Sequence, residues 1–308
     1  MNSLLILGTV AFDAIETPFG KTEKILGGAA TYIALSASHF DLDIATISVV
    51  GSDFPKAYLN LLSDRNINVS GIEILKDEKT FFWSGRYHNN MNNRDTLITE
   101  LNALLSFNPI VPNDYKNADV LVLGNLDPKL QLQTLNQMTR KPKLVILDTM
   151  NFWIDSAIED LHQIIKHVDV ITINDEEARQ LTSEYALISA AEKIQAMGPK
   201  YVIIKKGEHG ALLFYDKQIF HVPALPLKQV FDPTGAGDTF AGGFAGYIAK
   251  TGDTSFEGMK NGIIYGSALA SFCVEKFGTK GIEKISRSDI EKRLLEFKNM
   301  VQFDLKLL

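Results

Sequence analysis

The chain has 308 residues, 45% apolar and 22% charged, a globular composition that excludes collagen-like and low-complexity classes. A chain of this length buries about 75% of its unfolded surface, enough for one large core without covalent staples. The 31 Lys and Arg against 37 Asp and Glu leave a net charge of −6, which argues against non-specific nucleic-acid binding. One cysteine, Cys273, rules out an intrachain disulfide and a cysteine-based zinc site. The apolar start at residues 3–7 lacks a basic flank, and no run approaches the roughly 20 apolar residues of a membrane span. A soluble, cytoplasmic protein is expected.

In chain order, the apolar run 4–7 predicts a buried strand, 29–39 a helix, 44–50 a strand and 56–65 a helix. Residues 79–104 break this alternation. Phe81, Phe82, Trp83 and Tyr87 precede an Asn-rich tip at 89–93, and β-branched residues follow it. That pattern predicts a β-hairpin, either a decorative edge or a lid over a site. Strands at 120–123, 144–147, 168–173 and 201–204 then alternate with helices at 130–139, 154–167, 175–181 and 188–197. Short Val/Ile/Leu-rich strands alternating with helices predict an α/β fold around a mostly parallel sheet.

The most informative stretch is Asp232-Pro-Thr-Gly-Ala-Gly-Asp-Thr-Phe-Ala-Gly-Gly-Phe-Ala-Gly246. Pro233 and Gly235 mark a turn, and the apolar residues beyond Asp238 predict a helix. Gly235, Ala236 and Gly237 then stand at a helix N-terminus, where small residues and free amides favour an anion. Asp238 is placed to accept a proton from a substrate hydroxyl beside that anion hole. A glycine turn with an acid in the first helical turn is the plainer alternative. Phe240 occupies the last glycine of a dinucleotide fingerprint and Ile15 the first glycine of a P-loop, so neither motif is met.

This stretch resembles the C-terminal signature of the ribokinase-like (PfkB) carbohydrate kinases. Gly27-Gly28-Ala-Ala-Thr-Tyr-Ile-Ala34, running on to Val49-Val50-Gly51-Ser-Asp53, is similar to the family's first signature, and Asn174-Asp-Glu-Glu177 to its middle motif. The resemblance spans nearly the whole chain and is nearest to nucleoside kinases of the adenosine type. It implies a three-layer α/β/α domain over 1–308 with a small β-lid built from 14–26 and 79–104. It implies ATP as donor and magnesium as charge partner. Asp238 would be the base, and Gly235, Ala236 and Gly237 the anion hole. Asn174 and Glu177 would organise magnesium, Glu177 through water; their alternative is a helix cap and a surface acid.

The same resemblance places Lys205, Gly207 and Gly210 in the nucleotide loop, where the family often has Thr or Ser at the position of Lys205, and Ser267 at the adenine pocket. Asp232 and Thr234 match positions that hold a monovalent cation, such as potassium, in some relatives. Asp13, Gly27, Gly28 and Thr31 would meet the sugar; the family frequently carries Asn where Thr31 stands. Asn125, at a strand end, and Arg86 or Arg94, in the lid, are further candidates to meet substrate or phosphate. Phe82, Trp83 and Tyr87 could stack on a base or pack the lid, and the lid's apolar face could form a homodimer. The expectation is a nucleoside kinase, with a free-sugar kinase as runner-up. A non-catalytic sensor on the same fold and a nicotinamide-dependent oxidoreductase complete the alternatives.

Overall fold

A computed structural model describes residues 2–302 and 304. The chain opens with strands β1 (Ser3–Leu7), β2 (Ala11–Thr17), β3 (Gly20–Lys21) and β4 (Ile25–Gly27), then helix α1 (Ala29–Ala37). Strand β5 (Asp43–Gly51), helix α2 (Lys56–Ser63) and strands β6 (Ile67–Leu75), β7 (Phe82–Tyr87) and β8 (Arg94–Glu100) follow. The middle alternates β9 (Val120–Leu123), α3 (Pro128–Asn136), β10 (Leu144–Asp148), α4 (Asn151–Ser156), α5 (Ile158–Ile165) and β11 (Val170–Asn174). Then come α6 (Asp175–Thr182), α7 (Leu187–Met197) and strands β12 (Tyr201–Lys205), β13 (Ala211–Tyr215) and β14 (Gln218–Val222). Helices α8 (Ala236–Thr251), α9 (Phe256–Cys273), α10 (Lys280–Glu283) and α11 (Arg287–Val301) close the chain.

Nine strands form the central sheet in the order β14-β13-β12-β11-β10-β9-β1-β5-β6. From β12 to β6 every pairing is parallel; the β12–β13 and β13–β14 pairings are antiparallel. The strands β1, β9, β10, β11 and β12 are almost wholly buried, as a sheet covered on both faces requires. One core joins the sheet to α1, α8 and α9. The other joins it to α5, α6 and α7. The result is a three-layer α/β/α sandwich. The strand order reverses beside β1, because the chain runs to β5 and β6 on one side and to β9 through β12 on the other. Ligands of such sheets sit beyond the strand carboxyl ends near that reversal.

A second sheet of five strands, β3-β2-β7-β8 with β4 paired to β2, stands apart. It draws on both segments expected for a lid. Its faces differ by strand alternation. Asp13 and Trp83 are register partners and share one face, while Glu16 and Arg86 are partners on the other. Phe82 and Phe12 also lie on that second face, where Lys24 covers Phe82 at 4.8 Å and Phe12 stacks against Phe54 at 5.4 Å. Phe82 is therefore a packing residue. No helix among the described residues is long and apolar enough to cross a membrane.

Two expectations change in detail. The helix foreseen at 154–167 is two helices, broken at Ala157, whose φ of −143° is not helical. Helix α8 starts at Ala236, before Asp238, so Asp238 lies inside its first turn. Asp13 stands in β2.

Candidate active site

Five polar residues converge because they end or follow neighbouring strands. Asp148 closes β10, Asn174 closes β11 and Lys205 closes β12; Asn174 and Lys205 are register partners. The N-terminus of α8 brings Asp238 to the same edge, and α6 brings Glu177. Lys205 Nζ lies 3.0 Å from Asp148 Oδ1. It also lies 3.2 Å from where a methyl on Gly237 would stand, so it faces the α8 turn.

The turn itself has the chemistry of an anion hole. Gly235 caps α8 with φ +74°, a left-handed conformation suited to glycine. A side chain there would also overlap the ring of Tyr32. The Ala236 amide donates to the Pro233 carbonyl and that of Thr239 to the Gly235 carbonyl. Among the described residues no backbone acceptor meets the amides of Gly235 and Gly237. Amides without an internal acceptor seek a partner, and at a half-exposed helix N-terminus an anion is the fitting one.

The carboxyls around this turn are unusually basic. Burial pushes Asp238 up to about 7, with Asp148 adding to the rise and Lys205 and Arg94 opposing it. Burial likewise raises Glu177 to about 7, against the pull of Lys205. Lys205 feels burial, which favours its neutral form, but Asp148, Glu177 and Asp238 outweigh it and hold the ammonium above its usual range. Excess carboxylate beside an anion hole is the donor chemistry of a site that takes a cation together with an anion.

Asn174 and Glu177 satisfy the plainer expectation as well. Asn174 Oδ1 accepts from the Glu177 amide at 2.7 Å, and Glu177 Oε2 accepts from the Asn174 amide at 2.9 Å. This capping box leaves the side-chain Nδ2 of Asn174 and Glu177 Oε1 free of hydrogen bonds within it. The two residues thus cap α6 and still present polar atoms to the site.

On the lid side, burial raises Asp13 to about 7, with Asp232 and Asp238 adding to the rise. Its carboxylate fills the space of a Gly27 side chain, which explains the glycine there. Gly28 turns the chain into α1 at φ +92°. Thr31 departs from expectation: its buried hydroxyl donates to the Gly27 carbonyl at 2.7 Å, because an i−4 carbonyl is the nearest acceptor on a helix. The side chain that reaches the anion hole is its neighbour Tyr32. Arg86 departs too. It lies on the lid face opposite Asp13 and is tied to Glu16 at 2.8 Å. The lid cation whose field reaches Asp238 and Glu177 is Arg94, which stands 5.9 Å from the Trp83 ring centre.

Among the described residues, two side-chain hydrogen bonds join the hairpin of β7 and β8 to the main domain. Thr234 Oγ1 and Tyr87 OH are 3.2 Å apart. Asn92 Nδ2 donates to Glu208 Oε1 at 3.1 Å, inside the turn that Gly207 and Gly210 shape with φ of +54° and +85°. Asp232 is fully buried, and its two oxygens accept amides from Thr234 and Gly278, each at 2.8 Å. It therefore ties two loops together. Asn125 follows β9 and accepts the Trp153 indole at 2.9 Å. Ser267 lies half-buried on α9, with no hydrogen bond linking it to the Asp238 cluster.

Asp148 and Tyr32 were the residues least visible beforehand as members of this site. Asp148 carried one signal, a polar residue directly after the apolar run 144–147, the same signal as Asn174 and Lys205.

Comparison with known proteins agrees with this geometry. Residues 1–285 match the pfkB family of carbohydrate kinases. A cytidine kinase of Thermococcus kodakarensis is 34% identical over 254 residues, which are 80% of this chain and 89% of that protein. A ribokinase of Haemophilus influenzae is 25% identical over 298 residues, 91% of this chain and 94% of that protein. The crystal structure of a Methanocaldococcus jannaschii nucleoside kinase has the same fold, with a TM-score of 0.78 at 23% identity, covering 96% of this chain and 99% of that one. With a ribokinase-like fold and this breadth of match, the chain belongs to the pfkB family of carbohydrate kinases, phosphotransferases that act on hydroxyl groups.

Proposed function

We propose that this protein transfers the γ-phosphoryl group of ATP to a primary hydroxyl of a ribonucleoside such as adenosine. The observation that carries the reading is Asp238 in the first turn of α8, directly behind two amides that lack acceptors. The substrate hydroxyl gives its proton to Asp238 as its oxygen attacks the γ-phosphorus in line. The bond to the β–γ bridging oxygen breaks and ADP leaves. The amides of Gly235 and Gly237 take up charge on the phosphoryl oxygens. Such transfer depends on positioning and charge stabilisation rather than on a covalent enzyme intermediate.

Asp13 would accept hydrogen bonds from the ribose diol, which suits a carboxylate with two acceptor oxygens. Gly27 and Gly28 would let the sugar approach the backbone. The loop with Lys205, Gly207 and Gly210 would take the donor nucleotide, and Ser267 would border its base. Magnesium and its waters fit Glu177, whose Oε1 is left free by the capping box and whose basicity is raised, with Asn174 offering the second lone pair of its Oδ1; when bound, the ion would supply charge neutralisation at the phosphates. A monovalent cation at 232–234 would rely on backbone oxygens, since both Asp232 carboxylate oxygens already accept amides.

A nucleoside is favoured over a free sugar by Trp83, an aromatic ring on the same lid face as Asp13 and able to stack on a base. The similarity to a cytidine kinase supports the same class and sets cytidine beside adenosine as a first acceptor. A homodimer through the lid is part of the reading: β8 is an edge strand with Leu97 and Ile98 each 46% exposed. Sedimentation at two protein concentrations tests it.

The deciding experiment is ADP release from magnesium-ATP with nucleosides and free sugars as acceptors. Turnover with adenosine, cytidine or another nucleoside supports the reading. Turnover restricted to ribose or fructose overturns the acceptor class. No turnover with bound ATP favours a sensor.

A further inference from the structure

The largely buried Lys205 ammonium lies 3.0 Å from Asp148 Oδ1, and the charges of Glu177 and Asp238 also act on it. Desolvating a lysine is costly, and a close, well-held partner is needed to offset it. That partner is Asp148, and it is fixed from two sides. Its carboxylate Oδ1 accepts from Thr172 Oγ1 at 3.0 Å as well as from Lys205. Its carbonyl accepts from the fully buried Gln131, whose amide also spans to the Gly124 carbonyl at 2.8 Å. Lysine is a point charge on a flexible stem and has no fork of its own to fix direction. Here the stem is held so that Nζ faces Gly237, at the turn whose amides lack acceptors.

We infer that Asp148 is a positioning residue that aims the Lys205 ammonium at the anion held by the turn 235–237. Lys205 then stabilises charge on the phosphoryl group in flight, rather than chiefly anchoring the resting nucleotide. This rests on the phosphotransfer reading above. The reasoning is one of distance: the ammonium is beside the acceptorless amides, not out along the loop at Gly207–His209.

The test compares Lys205→Met, Asp148→Asn and the double variant. The double variant removes one cation and one anion together, so it leaves the net charge of the site unchanged even where a single change would strain the fold. Removing one charge-stabilising donor from such a site lowers kcat by about 100-fold, so Lys205→Met should do so with the KM for ATP changed less than about threefold. Asp148→Asn should lower kcat by about tenfold, and the double variant should fall no further than Lys205→Met, as expected when two residues act through one group. Losses that multiply, or a rise in KM with kcat kept, overturn the inference. Calorimetric titration with tripolyphosphate needs no acceptor and separates this inference from the kinase reading. Tripolyphosphate presents only resting charge, so Lys205→Met and Asp148→Asn should each bind it within about threefold of the unaltered protein. A loss of about tenfold or more in Lys205→Met would make Lys205 an anchor of the resting phosphates and sink the inference, whatever the phosphotransfer assay shows.

Discussion

Replacing Asp13 with Asn should make the unliganded protein more stable, increasingly so as pH rises. Asp13 is buried against Asp232 and Asp238, and its pKa stands at about 7 against an ordinary value of 3.8. Between these values the folded protein holds a proton that the unfolded chain has released. Stability is therefore full at low pH, falls as pH rises through this window, and levels off above about 7. A rise of about 3 units corresponds to about 4 kcal/mol at most, at 1.36 kcal/mol per unit. Because the neighbouring acids share this burden, that figure is a ceiling. Asn resembles the protonated acid and has no charge to desolvate. Urea unfolding of both proteins near pH 5 and about pH 8 measures the difference. The advantage of Asp13→Asn should grow by about 2 kcal/mol across that interval, while binding of the acceptor is lost. A stability difference that does not change with pH refutes the argument that burial of this carboxylate is held against its charge.

Other substitutions probe the turn and the lid. Gly235→Ala places a side chain at φ +74° and against the Tyr32 ring; with about 1–2 kcal/mol for the left-handed backbone and about 1–3 for overpacking, unfolding midpoints should drop clearly. An undiminished midpoint would mean that Tyr32 does not brace the anion hole. Tyr87→Phe removes the contact with Thr234, a neutral hydrogen bond of about 1 kcal/mol. Its loss should raise the acceptor KM about fivefold, and an unaltered KM would show that this contact does not hold the lid.

Much of the main domain was legible because its strands are uninterrupted apolar runs. The strands at 120–123, 144–147 and 201–204 needed no tertiary information. Strand β6 was missed because Ser70 and Gly71 interrupt it and it lies at the sheet edge, with few buried residues. Helix α11 was missed for a similar reason: only Ile290 and Phe297 of its residues are buried, so its apolar stripe is faint. The hairpin β13–β14 turns on Asp216 at φ +51°, a position where glycine would have announced the turn. At the site, the glycine-rich stretch before α8 was visible because its chemistry is local. The Asp148–Lys205 pair was not, because 57 residues separate the partners and only strand order brings them together. Arg86 and Arg94 could not be told apart, since strand register alone decides which face each occupies.

The most direct test of the central claim is Asp238→Asn, followed by both turnover and ligand binding. Asn keeps the size of the side chain and cannot take the hydroxyl proton. Phosphotransfer to the best nucleoside should fall by at least about 100-fold, the usual contribution of a general base. Binding of ATP and of the nucleoside by calorimetry should persist within a few-fold. Turnover that survives in Asp238→Asn would contradict the account, because the chemistry would then have to reside elsewhere than at the turn before α8.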